Sequence, residues 1–383
     1  MEREQTASPN NSAYCQARKR LPLEEIKKLY RQLTAKIEKP GEGTLWHGRK
    51  VKVADGSSLS MPDTPQNQKR WPQPKSQKPG CGFPVMRIAA LFSLATGVLL
   101  DLAQDQLAVH ERLLFKRLWP HLQPGDVLLA DRGFCSFADL YQLLQRGVDS
   151  VMRKHQARKN GRVIQRLGKN DRLVLWRKTA LCPVWLTRNQ WQDMPETLTV
   201  REIKVTVRIR GFRSKTIFLV TTLLDPVLYP TQAFADLYRQ RWLAELFLRD
   251  IKTTLGMDLL RAKTPDLIEK ELWIYLLAHN LVRALILKAA QNHQTPREKI
   301  SFKGTLSTLR TWAPFLARPD LTALQRLRLS QLLLSYLARD QLPFRPNRGE
   351  PRAKKRRPKP YQLLTLPRRL FHETRHRAKY RKA

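Results

Sequence analysis

Residues 125–154, GDVLLADRGFCSFADLYQLLQRGVDSVMRK, constrain the fold more than any other stretch of this 383-residue chain. VLLA is short, wholly apolar and bounded by Gly-Asp and Asp-Arg-Gly, so it reads as a buried strand. SFADLYQLLQRG (136–147) carries apolar residues at helical spacing and closes on glycine, and VDSVMRK (148–154) is strand-like again. A strand, a helix and a strand in such close succession place the chain in the α/β class. Neighbouring segments agree. LPLEEIKKLYRQLTAKIE (21–38) is helical, with Leu23, Ile26, Tyr30, Leu33 and Ile37 on one side. RKVKVADGSSLS (49–60) is a short strand running into a polar turn. MPDTPQNQKRWPQPKSQKPGCGFP (61–84) holds six prolines and reads as a long loop too polar for the core. VMRIAALFSLATGVLLDLAQD (85–105) reads as two apolar strands around a turn near Ala95–Gly97, with a buried helix as the alternative.

Beyond a helix over 107–119 and the strand–helix–strand run, the texture changes. Residues 160–225 hold RLVLWRK, VWLTRNQ, LTVREIKVTVRIR and KTIFLVTTLL, with GFRS suited to the turn between the last two. This predicts a β insertion of roughly 70 residues. ELWIYLLAHNLVRALILKAA (271–290) is apolar nearly all round, hence a buried helix, and LTALQRLRLSQLLLSYLARD (321–340) is amphipathic. The expected organisation is an N-terminal helical segment (1–48), a first part of the core (49–159), the β insertion (160–228), a second part of the core (229–292), a C-terminal helical region (293–344) and a basic tail (345–383) containing RPNRGEPRAKKRRPKP.

Charge bears on the partner. Lys plus Arg number 71 against 32 Asp plus Glu, a formal charge of +39. A compact fold gains nothing from such self-repulsion, so a polyanion is the natural partner, and the spread of charge along the chain favours nucleic acid over a membrane surface. A basic nucleoid or ribosome-associated protein without chemistry satisfies the same composition. No stretch is expected to reach the roughly 20 apolar residues that span a bilayer, and MEREQTASPNNSAYCQARKR has no apolar run of a secretory signal. Cys15, Cys81, Cys135 and Cys182 are widely spaced without a CxxC pair, which argues against a zinc module or disulfide framework and for a reducing cytosol; with the charge, the expected location is cytoplasmic and nucleoid-associated.

Chemistry is suggested by three carboxylates. VKVADG and VLLADRG each read as an apolar strand delivering an Asp, Asp55 and Asp131, at its exit, with a glycine just after. Ligand sites of open α/β sheets gather at such edges, although an Asp after a strand is also ordinary turn chemistry. In YRQRWLAELFLRDIK (238–252), Tyr238, Arg241, Glu245 and Lys252 share a stripe about 60° wide at about 100° per residue. Leu237, Ala244, Phe247, Leu248, Ile251 and Leu255 form the buried sector beside it. Together the three carboxylates are suited to two Mg²⁺ or Mn²⁺ ions, roughly 4 Å apart, for an in-line displacement at phosphorus. Rival acids are Asp63, Asp101, Asp105 and Glu111, of which Asp101 is the strongest because it too follows an apolar run. His47, His110, His121, His155 and His279 lack metal-type spacing, and HETRH (372–376) matches HExxH by chance, in a tail with no apolar helix to hold it.

These residues resemble a known family. Tyr238-x₂-Arg241-x₃-Glu245-x₆-Lys252 is similar to the YREK signature of DDE transposases of the insertion-sequence IS-four type. DGSSLSMPDT (55–64) and LLADRGF (128–134) resemble that family's two catalytic-aspartate segments, and SAYCQARKRLP (12–22) and RGEPRAKKRRPKPY (348–361) its flanking segments. The resemblance implies an RNase H-like core, a mixed sheet flanked by helices, with the β insertion between the second Asp and the Glu helix. It implies Asp55, Asp131 and Glu245 as the catalytic metal-binding triad, and Tyr238, Arg241 and Lys252 as ligands of DNA phosphates. The implied partners are double-stranded DNA, as element inverted repeats and target, and a second copy of the chain in a homodimer. The implied activity is Mg²⁺-dependent cleavage and strand transfer, with a nuclease that cuts without joining and an inactive DNA-binding remnant as alternatives. Trp176, Trp185 and Trp191 of the insertion are candidates for base stacking, with core packing favoured. The SAYCQAR-like segment begins eleven residues in, where family members carry a longer amino-terminal region, so a truncated copy, a misassigned start or a short variant relying on other surfaces is expected.

Overall fold

In the computed structural model the described residues are 11–39, 45–158, 161–207 and 215–343, with Pro367 and Leu370. The GFRS turn, HETRH and nearly all of the basic tail lie outside them. The elements are α1 (Asn11–Arg20), α2 (Leu23–Glu38), β1 (Val51–Ser60), α3 (Pro65–Arg70), β2 (Val85–Ser93), β3 (Leu99–Gln106), α4 (Glu111–Lys116), β4 (Val127–Ala130), α5 (Phe137–Gln145), β5 (Asp149–Arg153), β6 (Arg162–Gly168), β7 (Asp171–Arg177), α6 (Arg188–Gln192), β8 (Thr197–Val207) and β9 (Lys215–Thr221). They continue with α7 (Thr231–Gln240), α8 (Trp242–Arg249), a π-helical turn (Asp250–Thr254), α9 (Pro265–Asn292), α10 (Phe302–Leu316) and α11 (Ala323–Arg339).

All nine strands form one mixed sheet in the order β3-β2-β1-β4-β5-β9-β8-β7-β6. β1, β2 and β3 are an antiparallel meander, β4 and β5 run parallel to β1, and β9 to β6 continue antiparallel. Strands β6–β9 therefore extend the same sheet through the β5–β9 pairing. Both faces are covered at the centre, which is why VLLA is apolar throughout. Val127 and Leu129 pack on one side with residues of α2, α7, α8 and α9, while Leu128 and Ala130 pack on the other with residues of α4 and α5.

Three expectations need correction here. The 61–84 segment is not too polar for the core. Met61 and Trp71 are fully buried, and the Trp71 indole, just after α3 (a short helix capped by Thr64), donates to Gln104 of β3 at 3.0 Å. β1 does not end at Asp55; it runs on to Ser60, because β2 pairs with its whole second half. Finally, α9 is long and apolar enough, by length and composition, to cross a membrane. In this fold it packs against α2, α10, α11 and β3. Two of its polar residues face inward: Asn280 donates to Leu99 O and Thr34 Oγ1, and His279 lies fully buried against the Gly97 carbonyl. Burial and the nearby Arg283 hold that imidazole neutral, with its pKa lowered to about 3.

The outer strands are tied to the rest by buried ions. Arg201, wholly buried, binds Asp171 through two bonds of 2.9 and 2.5 Å and donates to the carbonyls of Asp225 and Tyr229. Glu202 accepts from Lys154, Arg172 and the Trp176 indole. Trp176 and Trp191 are core residues, and Trp185 lies half-buried under Lys116.

Candidate active site

Sheet register sets the relation of the two aspartates. Val51, Lys52 and Val53 of β1 pair in parallel with Val127, Leu128 and Leu129 of β4. Carried forward by two residues, that register brings Asp55 level with Asp131, on strands roughly 5 Å apart. β4 stops at Ala130 and the chain turns into a 3₁₀ turn, so Asp131 stands at the carboxyl edge of the parallel strands. Asp55 reaches the same edge from within a longer strand. The glycines after them do not serve as sharp-turn residues: Gly56 and Gly133 are absent from the positive-φ positions, which include Gly97 at the β2–β3 turn.

The helix bearing Tyr238, Arg241, Glu245 and Lys252 is not one continuous α-helix. α7 ends at Gln240, Arg241 keeps helical dihedrals at the junction (φ −52°, ψ −32°), α8 follows, and the last turn is π-helical. Such turns are frequent at functional sites. α8 packs on β1 with Ala244, Phe247 and Leu248 buried, and Leu260 N donates to Ser60 O, fastening the following segment to the end of β1. Lys252 is held there by Ser57 Oγ (2.7 Å), Ser58 O (3.0 Å) and Asp258 (3.1 Å). Asp250, which the helical stripe excluded, is buried and pairs with Arg283 at 2.7 Å.

Arg241 lies within the electrostatic reach of all three carboxylates. Its guanidinium binds Glu245 at 2.7 Å and lies 6.0 Å from the Tyr238 ring centroid. Burial works against its charge, but the Glu245 hydrogen bond and the fields of Tyr238, Asp131 and Asp55 outweigh it and raise its pKa. Asp55 is pushed up to about 6, by burial first; its bond from Gly56 N–H and the charge of Arg241 oppose the rise, while Glu245 and Asp131 add to it. Burial also raises the Tyr238 phenol, with Asp131 nearby.

Of the rival acids, Asp101 pairs with His121 at 2.7 Å, Asp105 with Arg117 and Arg70, and Asp63 accepts from Gln68. All three are engaged elsewhere. Glu111 is different: burial raises its pKa, with Asp55 and Asp131 both contributing. Only its position at a helix start was legible in the sequence, and nothing there distinguished it from a surface acid.

The donor set suits a hard divalent cation. Among the described residues, neither Asp131 nor Asp55 has an ion pair, in a chain with 71 Lys and Arg. Like charges at close quarters are costly without a cation between them. No three acidic, imidazole or thiol side chains among the described residues stand close enough to share one ion in this arrangement. Glu245 is turned toward Arg241, which supplies the counter-charge.

Comparison with known proteins gives the same direction. A family model described as Transposase DDE domain matches residues 46–281, more than half of the chain. The transposase InsG for insertion sequence element IS4 of Escherichia coli K12 is 29% identical over 290 residues, 73% of this chain and 62% of that protein. The putative transposase InsZ of the same strain is 30% identical over 140 residues, 36% and 46% of the two chains. The chain thus spans under two thirds of the length of either relative. A piggyBac transposase synaptic complex with hairpin DNA aligns at 12% identity and a TM-score of 0.41, covering 74% of this chain and 57% of that one, a likeness too slight to bear on the fold.

Proposed function

Because the chain belongs to the DDE-domain transposase family, we propose that it is a DNA transposase, cleaving phosphodiesters at the ends of an insertion sequence and joining them to target DNA. The observation that carries this reading is the β1–β4 register that levels Asp55 with Asp131, with the Arg241–Glu245 pair within their field. The strand order β3-β2-β1-β4-β5, with β2 antiparallel and β4 and β5 parallel to β1, supports an RNase H-like core. On that reading β6–β9 are an insertion added to its edge.

Asp55, Asp131 and Glu245 would hold two divalent ions, Mg²⁺ or Mn²⁺, which would supply Lewis acidity for an in-line displacement at phosphorus. Glu245 must leave Arg241 to join the two aspartates. The freed guanidinium then has a planar fork for a phosphate, beside the Tyr238 hydroxyl. Lys252 adds a point charge at the margin, while its bonds to β1 fix the helix that carries Glu245. The +39 charge favours a DNA duplex as substrate, and joining two element ends calls for two copies of the chain.

Glu245→Gln tests the reading. Cleavage of DNA carrying the element's ends in Mg²⁺ should disappear while DNA retention persists. Nicking that survives the substitution refutes the triad. Cut but never joined products from the unaltered protein mark a nuclease, and retention without cleavage a binding protein.

A further inference from the structure

Glu111 opens α4, outside every segment that supplies Asp55, Asp131 or Glu245. Its carboxylate nevertheless lies against the backbone of Gly56, the neighbour of Asp55. A Cβ on Gly56 would overlap Glu111 Oε1 and Cδ. Because Gly56 is not a positive-φ position, backbone conformation does not require a glycine there. Space for Glu111 does. The carboxylate is half-buried, and among the described residues it has neither an ion pair nor a hydrogen bond. Arg87, whose charge acts on Glu111, donates to the Val109 carbonyl at 3.0 Å instead. A carboxylate in the first turn of a helix is ordinarily stabilised by the helix dipole while projecting into water. Here the side chain folds back over β1, toward two other carboxylates, in a chain with abundant cations it could have met instead.

We propose that Glu111 is a further oxygen donor of the active site, reaching the divalent cation held by Asp55 and Asp131 through one water, since the three carboxylates do not stand close enough to share an ion directly. Gly56 is the position that admits it. The inference rests on the metal-site reading above and extends it to a residue outside the triad. A hard cation of this size takes about six oxygen donors, so a fourth carboxylate adds charge and fixes geometry without crowding.

The test is Mn²⁺ binding to the full chain without DNA, followed by electron paramagnetic resonance of the free ion. Asp131→Asn should abolish tight binding. Glu111→Gln, isosteric and uncharged, should weaken it about tenfold or more, the scale of a lost supporting ligand. Gly56→Ala should do the same by displacing Glu111, and the double substitution should be no worse than Glu111→Gln alone. Thermal unfolding in chelator should show Glu111→Gln at least as stable as the unaltered protein, which separates loss of a ligand from loss of the fold. If Asp131→Asn abolishes binding while Glu111→Gln binds as the unaltered protein does, the inference is wrong and the triad stands. If Asp131→Asn leaves binding intact, the metal-site reading itself fails.

Discussion

Removing the charge of Asp55 should stabilise the metal-free protein. The carboxylate is held at a pKa of about 6 against 3.8 when exposed, mainly by burial, with Glu245 and Asp131 adding to the rise. A group raised in the folded state binds its proton more tightly there than in the unfolded chain. Its ionised form therefore costs stability above about pH 6, and the cost is lost as pH falls toward 3.8. At about 1.4 kcal/mol per unit the ceiling is about 3 kcal/mol, and the partly open site reduces this to about 2 kcal/mol at pH 8 and about 1 kcal/mol at pH 5. Asparagine keeps the shape and the oxygen that accepts from Gly56 N–H at 3.0 Å. Urea unfolding of Asp55→Asn and the unaltered chain, in chelator at both pH values, measures the difference. Added Mn²⁺ should stabilise the unaltered chain and leave the variant where it was. An Asp55→Asn chain no more stable than its parent at pH 8, or one whose advantage grows as pH falls, refutes the reasoning.

Arg241→Gln should raise Mn²⁺ affinity severalfold in the absence of DNA, since Glu245 loses its internal counter-ion, and should weaken DNA binding; unchanged Mn²⁺ affinity contradicts this. Arg201→Met should cost about 3–5 kcal/mol in equilibrium unfolding, because Asp171 is left buried and uncompensated. A loss under about 1 kcal/mol would show that the outer strands do not depend on the pair. DNA affinity should fall steeply with salt as condensed counterions compete for the phosphates, and a flat response would remove the charge argument.

Local pattern disclosed much of this molecule. VLLA, SFADLYQLLQ and the paired apolar strands near residues 85–105 are legible because burial on one or both faces leaves a clear periodicity. What stayed hidden depends on contacts between distant segments. Asp55 reads as a strand exit because polarity rises after it, yet pairing with β2 carries the strand on to Ser60. Trp71 reads as part of a polar loop because only Gln104, on another strand, reveals why it is buried. Glu111 is one acid at the head of a short helix until the fold sets it over Gly56. The striped helix assumes an even 3.6-residue turn, and the π-helical turn at Asp250–Thr254 leaves no mark in apolar spacing.

The most direct measurement is a crystal of the full chain soaked in Mn²⁺, with the ion located by anomalous scattering. The account predicts a peak at ligand distance from Asp55 and Asp131 together, with Glu245 swung away from Arg241. A peak away from both aspartates, or none at a concentration that supports DNA cleavage, would contradict it.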